Sequence, residues 1–204
     1  QMTTQLKICG IRSLSEIQEL KDLPIDYFGC IFAPKSPRYV SVDLAKDIVT
    51  EIHSVGKLAV GVFVNTPIHE LQQIQQQTNI DILQLHGNES VEDCSTLHNA
   101  GYTLWKAFSI YDTLPDITPY QPYIQYPLFD TKGISEGGNG TRFNWEILKD
   151  LSPYSYILAG GLEVNNIQEA LCYRPAILDV NSKVECNHRK NRSLVEKIIS
   201  KLAD

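Results

Sequence analysis

The chain of 204 residues contains 43% hydrophobic and 21% charged residues, the composition of an ordinary globular domain, so a disordered chain is excluded. Its formal net charge is -6, and no basic stripe runs along it, which argues against nucleic-acid binding. The five cysteines are odd in number and irregularly spaced, so neither a disulfide framework nor a zinc ribbon is predicted. Because no apolar run could span a bilayer and no signal-peptide pattern is present, we expect a cytoplasmic protein without membrane binding.

Short, β-rich apolar runs alternate with amphipathic helical stretches along the whole chain. The strands are predicted at Leu6–Ile11, Tyr27–Phe32, Leu58–Val64, Ile82–His86, Leu104–Ser109, Pro127–Thr131, Tyr156–Gly160 and Ile177–Ser182. The helices are predicted at Leu14–Lys21, Val42–Ser54, Ile68–Thr78, Val91–Asn99, Trp145–Leu151, Val164–Leu171 and Leu194–Leu202. The segment Thr113–Gln125 holds three prolines, so the fifth helix of the series is expected to be short or irregular.

This order of elements indicates an α/β protein with a parallel sheet and right-handed crossovers. Eight strand–helix units favour a closed (β/α)8 barrel of eight parallel strands, and we expect residues 2–204 to form a single domain. A doubly wound open sheet is the structural alternative. That fold usually has a glycine-rich turn after its first strand, where this chain has Cys9-Gly10-Ile11-Arg12.

Polar residues recur on one face of several predicted strands, because side chains alternate across a strand. The outer face of a barrel packs on helices and should be apolar, so Lys7, Lys106 and Asp179 are predicted to point into the barrel. A buried charge needs a partner. Strands one and eight are neighbours at closure, so Lys7 and Asp179 are predicted to pair. The alternative is that these charges lie in water near the barrel mouth.

Four polar side chains stand at the C-terminal ends of four different strands: Cys9, His86, Asp130 and Asn181. Barrels of this class carry their active sites on that face, so the four are predicted to converge on one mouth. His86 could act in catalysis or hydrogen-bond a ligand. A metal site is not expected, because no second histidine or cysteine stands near His86 in the sequence pattern.

Cys9 and Asp130 are the candidates for proton transfer. Cations lower the pKa of a thiol, and Lys7 and Arg12 flank Cys9, so this thiol could accept a proton. A carboxyl group in a screened mouth can keep its proton near neutrality, so Asp130 could be a general acid. The alternatives are a buried core cysteine and a carboxylate that caps a helix or anchors a loop.

Two sets of residues could hold anions. Gly160-Gly161 and Asn181-Ser182 follow strands seven and eight, where such barrels commonly bind phosphate through backbone N–H groups. A Gly-Gly pair is also a common turn. Arg38 could bind a carboxylate through its planar fork, or it could be a surface arginine.

Four further features are not part of the predicted site. The loop Gly137-Gly138-Asn139-Gly140 could close over a ligand or link two elements. Asn144 is predicted to cap the helix that follows it. The basic run from His188 to Arg192 is predicted to be a solvated loop, and Cys30 could line the barrel interior.

Several motifs occur together along almost the whole chain. They are Lys7-Ile8-Cys9-Gly10-Ile11, Phe32-Ala33-Pro34-Lys35-Ser36-Pro37-Arg38-Tyr39-Val40-Ser41, Gly61-Val62-Phe63-Val64-Asn65, Leu83-Gln84-Leu85-His86-Gly87, Leu128-Phe129-Asp130, Gly137-Gly138-Asn139-Gly140, Phe143-Asn144-Trp145, Leu158-Ala159-Gly160-Gly161-Leu162 and Asp179-Val180-Asn181-Ser182-Lys183-Val184-Glu185. In this combination and order, the chain resembles the phosphoribosylanthranilate isomerase family of tryptophan biosynthesis.

The resemblance implies an Amadori rearrangement of N-(5′-phosphoribosyl)anthranilate to 1-(2-carboxyphenylamino)-1-deoxyribulose 5-phosphate. By motif position, Cys9 would be the general base and Asp130 the general acid. Arg38 would bind the anthranilate carboxylate, and the loops at Gly160-Gly161 and Asn181-Ser182 would bind phosphate. No cofactor and no metal are implied, because the substrate's own nitrogen supplies the electron sink.

Two other functions are weighed against this one. A related aminoaldose isomerase of histidine biosynthesis would use two carboxylates, and Cys9 in the base position argues against it. A non-catalytic barrel could be a binding module or docking partner, and the pair Cys9 and Asp130 argues against that. We expect a monomer or homodimer, with docking to neighbouring tryptophan-pathway enzymes left open. The family commonly has glycine where Lys183 stands, so Lys183 could alter the phosphate cradle or add a charge to it.

Overall fold

The computed structural model describes residues 2–131 and 145–203. Eight parallel strands close into a barrel in which each strand pairs with its neighbours in sequence and the first pairs with the last. The strands are β1 (Gln5–Cys9), β2 (Tyr27–Ile31), β3 (Leu58–Phe63), β4 (Ile82–Leu85), β5 (Thr103–Ser109), β6 (Tyr126–Asp130), β7 (Ile157–Ala159) and β8 (Ile177–Val180). The predicted (β/α)8 barrel is therefore confirmed.

Six α-helices surround the barrel in the described part of the chain. They are α1 (Leu14–Leu20), α2 (Val42–Ser54), α3 (Ile68–Thr78), α4 (Val91–Asn99), α5 (Ile167–Leu171) and α6 (Arg192–Ala203). Serine side chains cap the first turns of three of them, where backbone N–H groups have no partner inside the helix. Ser13 accepts from the Glu16 amide, Ser41 from Leu44 and Ser90 from Asp93.

The barrel wall separates two apolar cores. Inside the barrel, a cluster includes Tyr27, Val60, Trp105, Leu128 and Ile157. Outside it, a larger cluster joins the alternate strand residues to the helices. Because strand residues alternate between these cores, the parity of a position decides whether its side chain reaches the barrel interior.

Two connections show a 3-10 turn and no α-helix in their described residues. The segment between β5 and β6 contains only a short 3-10 turn, Gln121–Tyr123, as expected for a proline-rich stretch. The predicted helix Trp145–Leu151 is instead a four-residue 3-10 turn, Trp145–Leu148. A small antiparallel hairpin of β9 (Glu185–Cys186) and β10 (Arg189–Lys190) also follows β8.

The predicted position of Lys106 inside the barrel is wrong. Its neighbour Trp105 fills the interior, so Lys106 points outward, where it donates to the Gly87 carbonyl and lies 3.4 Å from a Glu89 carboxylate oxygen. Cys30 also belongs to the outer cluster and does not line the interior. Strand alternation correctly predicted which residues share a face. The further assumption that polar side chains point into the barrel failed for Lys106, because Glu89 gives it a charged partner outside the barrel.

The basic run before α6 is not a fully solvated loop. Arg189 is exposed, but the side chain of Lys190 is completely buried and paired with Glu185 at 2.5 Å. The hairpin of β9 and β10 places the Lys190 ammonium beside Asn181 at the barrel mouth. In the described ranges, no helix combines the length and apolarity that crossing a membrane would need.

Candidate active site

The C-terminal ends of the strands enclose a cavity of about 250 Å³, which suits a small molecule and not a macromolecule. Every site residue predicted from the sequence lines it: Cys9, Arg38, His86, Asp130, Gly160, Gly161, Asn181 and Ser182. Lys183, Gln84 and Asp179 line it as well. The predicted convergence of strand-end side chains on one mouth is thus confirmed.

Cys9 ends β1 and is 5% exposed. Burial raises the pKa of its thiol, and this effect outweighs the opposing attraction of the Lys7 and Lys190 ammonium groups. The expectation that nearby cations lower the pKa below its ordinary value is therefore wrong in the free protein. The second cation acting on the thiol is Lys190 and not Arg12, whose guanidinium donates to the Pro37 carbonyl.

A buried polar group lies directly below Cys9. The Lys7 ammonium, fully buried, donates to Asp179 at 2.9 Å and to the Gln84 side-chain oxygen at 2.5 Å. The predicted Lys7–Asp179 pair is confirmed, and it bridges β1 and β8 at register-matched positions. Gly29 on β2 leaves room for this arrangement, because a Cβ there would lie 2.8 Å from the Cys9 sulfur.

Asp130 ends β6 and meets His86 across the mouth. The His86 Nε2 atom lies 3.1 Å from Asp130 Oδ2, and the other ring nitrogen, Nδ1, lies 3.1 Å from the Gln84 amide nitrogen. Both side chains keep partial access to the cavity, with 30% and 22% of their side-chain surfaces exposed. His86 is therefore placed to act on Asp130 as well as on a ligand.

Arg38 is held by an ion pair that the sequence reasoning did not predict. Its Nε and Nη2 atoms donate to the two carboxylate oxygens of Glu185 at 2.8 and 2.7 Å. Lys190 pairs with the same carboxylate and also donates to the Asn181 side chain at 2.9 Å. Burial would raise the Glu185 pKa, but these two cations hold it at about 2. The group as a whole therefore carries an excess positive charge at the mouth.

The loops after β7 and β8 form the remaining wall. Gly160 and Gly161 have φ values of 101° and 68°, a backbone conformation that glycine adopts without strain. The Thr131 hydroxyl donates to the Gly160 carbonyl, and Asn166 donates to the Gly161 carbonyl. Lys183 is half exposed at this rim, with its ammonium 3.8 Å from Glu163.

Three residues of the site were missed or left without a role by the sequence reasoning. Gln84 lies two residues before His86 in a predicted strand and therefore shares its face, but no function was inferred for it. Glu185 and Lys190 belong to a two-residue-strand hairpin that has no detectable periodicity. Only the occurrence of Glu185 in the motif after β8 could have indicated its importance.

Two sequence predictions cannot be compared with the structure. The loop Gly137-Gly138-Asn139-Gly140 and the helix cap at Asn144 lie outside the described residues. Within residues 2–131 and 145–203, no group of three or more His, Cys, Asp or Glu side chains is arranged to hold a metal ion.

The family model and the sequence relatives agree on one family. The family model described as PRAI, N-(5'phosphoribosyl)anthranilate (PRA) isomerase, matches residues 6–201. An N-(5'-phosphoribosyl)anthranilate isomerase from Thermoanaerobacter sp. (strain X514) is 38% identical in an alignment 202 residues long, which covers 95% of this chain and 97% of that protein.

Two solved structures are similar over nearly the full length. Monomers of the dimeric phosphoribosylanthranilate isomerase from Thermotoga maritima match with a TM-score of 0.83 and 28% identity, over 98% of this chain and 99% of that one. A phosphoribosylanthranilate isomerase in complex with reduced 1-(o-carboxyphenylamino)-1-deoxyribulose 5-phosphate matches with a TM-score of 0.82 and 27% identity, over 98% and 99% of the two chains.

Proposed function

The chain belongs to the N-(5'-phosphoribosyl)anthranilate isomerase family of tryptophan biosynthesis, and we propose that it carries out the family's Amadori rearrangement with Cys9 as general base and Asp130 as general acid. The observation that carries this assignment is their position. A thiol and a carboxyl group reach one cavity from two non-adjacent strands, β1 and β6. An acid and a base separated in this way can act on different atoms of one bound molecule.

The substrate carries two anionic groups, and the mouth offers two places for anions. The phosphate would lie against Gly160-Gly161 and Asn181-Ser182, where backbone N–H groups can point at it. The anthranilate carboxylate would take the end-on edge of the Arg38 guanidinium, since Glu185 uses the Nε–Nη2 edge. Lys183, at the rim of the phosphate loops, adds a positive charge on that side. The solved relative that holds a reduced deoxyribulose 5-phosphate derivative supports this class of ligand.

Two proton transfers, one from Asp130 and one to Cys9, would open the ring and form an enolamine. Asp130 gives its proton to the furanose ring oxygen, the C1–O bond breaks, and the anthranilate nitrogen pair forms the C1=N bond of a protonated Schiff base. Cys9, as thiolate, removes the C2 proton, and the electron pair of that C–H bond moves into C1–C2 while the C=N pair returns to nitrogen. The resulting enolamine tautomerises to the ketone. The iminium nitrogen serves as electron sink, so the scheme assigns no step to a cofactor.

The burial of Cys9 has a direct consequence for this scheme. Its pKa is raised in the free protein, so the neutral thiol predominates at neutral pH. A thiolate that forms there is a stronger base than an exposed one, and Lys7 and Lys190 stabilise its charge.

We also propose the wider setting of the enzyme. Residues 2–204 would act as one domain in the cytoplasm, as a monomer or homodimer and without nucleic acid. The dimeric state of the Thermotoga maritima relative supports the homodimer. Docking to neighbouring enzymes of the tryptophan pathway would be a further, separate association.

Activity of point variants tests the proposed roles. We expect Cys9→Ala and Asp130→Asn each to lower kcat/KM by at least about 10²-fold, the usual scale of general acid–base catalysis. The assay generates phosphoribosylanthranilate enzymically and follows the loss of its fluorescence. Cys172→Ala and Asp150→Asn change exposed residues of the same types and should leave the rate unaltered. Near-normal turnover in either site variant would show that its role is wrongly assigned.

A further inference from the structure

A line of hydrogen bonds joins the neighbourhood of the candidate base to the candidate acid. Lys7 donates to Gln84 Oε1 at 2.5 Å, the Gln84 Nε2 atom lies 3.1 Å from His86 Nδ1, and His86 Nε2 lies 3.1 Å from Asp130 Oδ2. Gln84 is buried at 1% exposure. None of the steps above uses it, although it stands between the two reacting side chains.

The chemistry of each group determines which atom donates and which accepts in each of these hydrogen bonds. A lysine ammonium can only donate, so the Gln84 atom facing Lys7 must be its carbonyl oxygen. The amide NH₂ of Gln84, which can only donate, therefore faces His86. The Nδ1 atom of His86 must then accept and carries no proton. In a neutral imidazole the proton lies on Nε2, and Nε2–H donates to Asp130.

The direction depends on Lys7 being charged, and its surroundings keep it so. Burial lowers the Lys7 pKa, but the Asp179 carboxylate opposes that effect and the pKa is raised. The ammonium also lies 5.7 Å from the centroid of the Trp105 ring, whose face attracts a cation. The Lys7 ammonium therefore stays charged at neutral pH and always donates to Gln84.

We propose that Gln84 is a positioning residue that fixes His86 in its Nε2–H tautomer, so that His86 donates a hydrogen bond to Asp130 before and after Asp130 gives up its proton. The proposal rests on the proposed role of Asp130 as the acid. It assigns Gln84 no contact with the substrate.

The opposite tautomer would impair the acid. A bare Nε2 would accept the Asp130 proton in a hydrogen bond and compete with the furanose oxygen for it. With Nε2–H in place, Oδ2 accepts from His86 while the carboxyl proton goes to the substrate. When the O–H bond breaks and its electron pair stays on Asp130, the same hydrogen bond becomes charge-assisted and stronger. The transition state is then stabilised more than the ground state.

Nitrogen NMR of the full chain labelled with ¹⁵N-histidine tests the tautomer directly. The shifts of the two ring nitrogens, and their couplings to the ring protons, distinguish the tautomers, and His86→Gln identifies the resonances of residue 86. We expect the wild-type ring to show a protonated Nε2 and a bare Nδ1. A wild-type spectrum with a protonated Nδ1 would overturn the proposal without any variant having to fold.

The isosteric variant Gln84→Glu reverses the polarity at the ring. A carboxylate can only accept, so the proton is expected on Nδ1 in this variant, and kcat should fall about 10-fold with KM changed less than about twofold. Gln84→Met removes the donor at similar size and should leave a mixture of tautomers. An unchanged His86 spectrum in Gln84→Glu would show that Gln84 does not set the tautomer.

The two readouts separate this inference from the function on which it rests. If Asp130→Asn keeps full activity while the wild-type ring is Nε2–H, the acid is wrongly assigned but the tautomer stands. If Asp130→Asn is inactive and Gln84→Glu shifts the proton without changing kcat, the acid stands and the positioning role fails.

Discussion

Cys9 lies between a desolvating barrel wall and two buried ammonium groups. Burial raises its pKa, Lys7 and Lys190 lower it, and the Asp179 carboxylate raises it again. The net direction is upward, so the barrel keeps the thiol protonated at neutral pH. Removing one cation should remove a lowering influence and raise the pKa further.

This balance predicts the alkylation behaviour of Cys9. We expect its rate of reaction with iodoacetamide, followed by mass spectrometry of the Cys9 peptide, to rise with pH along a curve centred above that of free cysteine, at about 8.5. In Lys190→Met the curve should move to still higher pH. Free cysteine in the same solution is the reference. A curve centred below the reference would mean that the cations outweigh burial.

The sequence predicted the place of Cys9 but not its electrostatics. Strand alternation and the strand end were enough to put Cys9 at the mouth together with Asp130. Burial of the thiol sets the sign of the pKa shift, and Lys7, Asp179 and Lys190 modify its size according to their distances. The distance of Lys190 depends on a hairpin that brings it from the far end of the chain. No local pattern around either residue contains that distance.

At the scale of elements, the segment after β8 builds much of the mouth. A 3-10 turn, Ser182–Val184, leads into the hairpin of β9 and β10. The hairpin brings the Glu185 carboxylate between Arg38 and Lys190, and the backbone amide of Lys190 donates to Glu16 at the start of α1. Docking of this hairpin is therefore largely electrostatic.

Acid should loosen the hairpin through Glu185. Its pKa is about 2 in the folded protein against an ordinary value of 4.5. A depressed carboxyl pKa contributes stability that is fully present above pH 4.5 and is lost as pH falls through about 2. We expect urea unfolding of the wild type to show this loss, and Glu185→Gln, less stable at pH 7, to lose less over the same window.

A matched control isolates the effect of the buried carboxylate. Glu163→Gln removes a carboxylate whose nearest ammonium is 3.8 Å away at the exposed rim. Its stability should follow the wild-type pH dependence. Parallel pH curves for wild type and Glu185→Gln would refute the electrostatic account of the hairpin.

Element prediction succeeded where local chemistry marks the boundaries. The bounds of α2, α3 and α4 agree with those predicted, and side-chain caps at Ser41 and Ser90 help to explain two of the starts. The hairpin was missed because two-residue strands have no measurable period. The helix predicted at Trp145–Leu151 was too long, because an apolar pattern does not distinguish a single 3-10 turn from a short α-helix.

For the whole molecule, closure of the barrel places two charged side chains at its seam, which is the pairing of β1 with β8. Lys7 and Asp179 face each other where β1 pairs with β8, and both are buried. Asp179 Oδ1 has no hydrogen-bond partner in the part of the chain that the structure describes, so the stability of this carboxylate depends on Lys7.

Closure of the barrel was predictable from the eight repeated strand–helix units, and the Lys7–Asp179 pair was predictable from alternation along two strands. The inward placement of Lys106 failed because alternation groups residues without saying which group faces in.

The seam pair should therefore matter to the stability of the entire barrel. Lys7→Met keeps the length of the side chain but leaves Asp179 buried without its cation, and we expect the free energy of unfolding to fall by about 3–5 kcal/mol. Urea denaturation monitored by circular dichroism measures this. Lys21→Met breaks a pair with Glu51 in which the two side chains are 30% and 31% exposed, and it should cost at most about 1 kcal/mol. Adding Asp179→Leu to Lys7→Met removes the orphaned charge and should recover part of the loss. If Lys7→Met costs no more than Lys21→Met, the buried pair does not hold the seam.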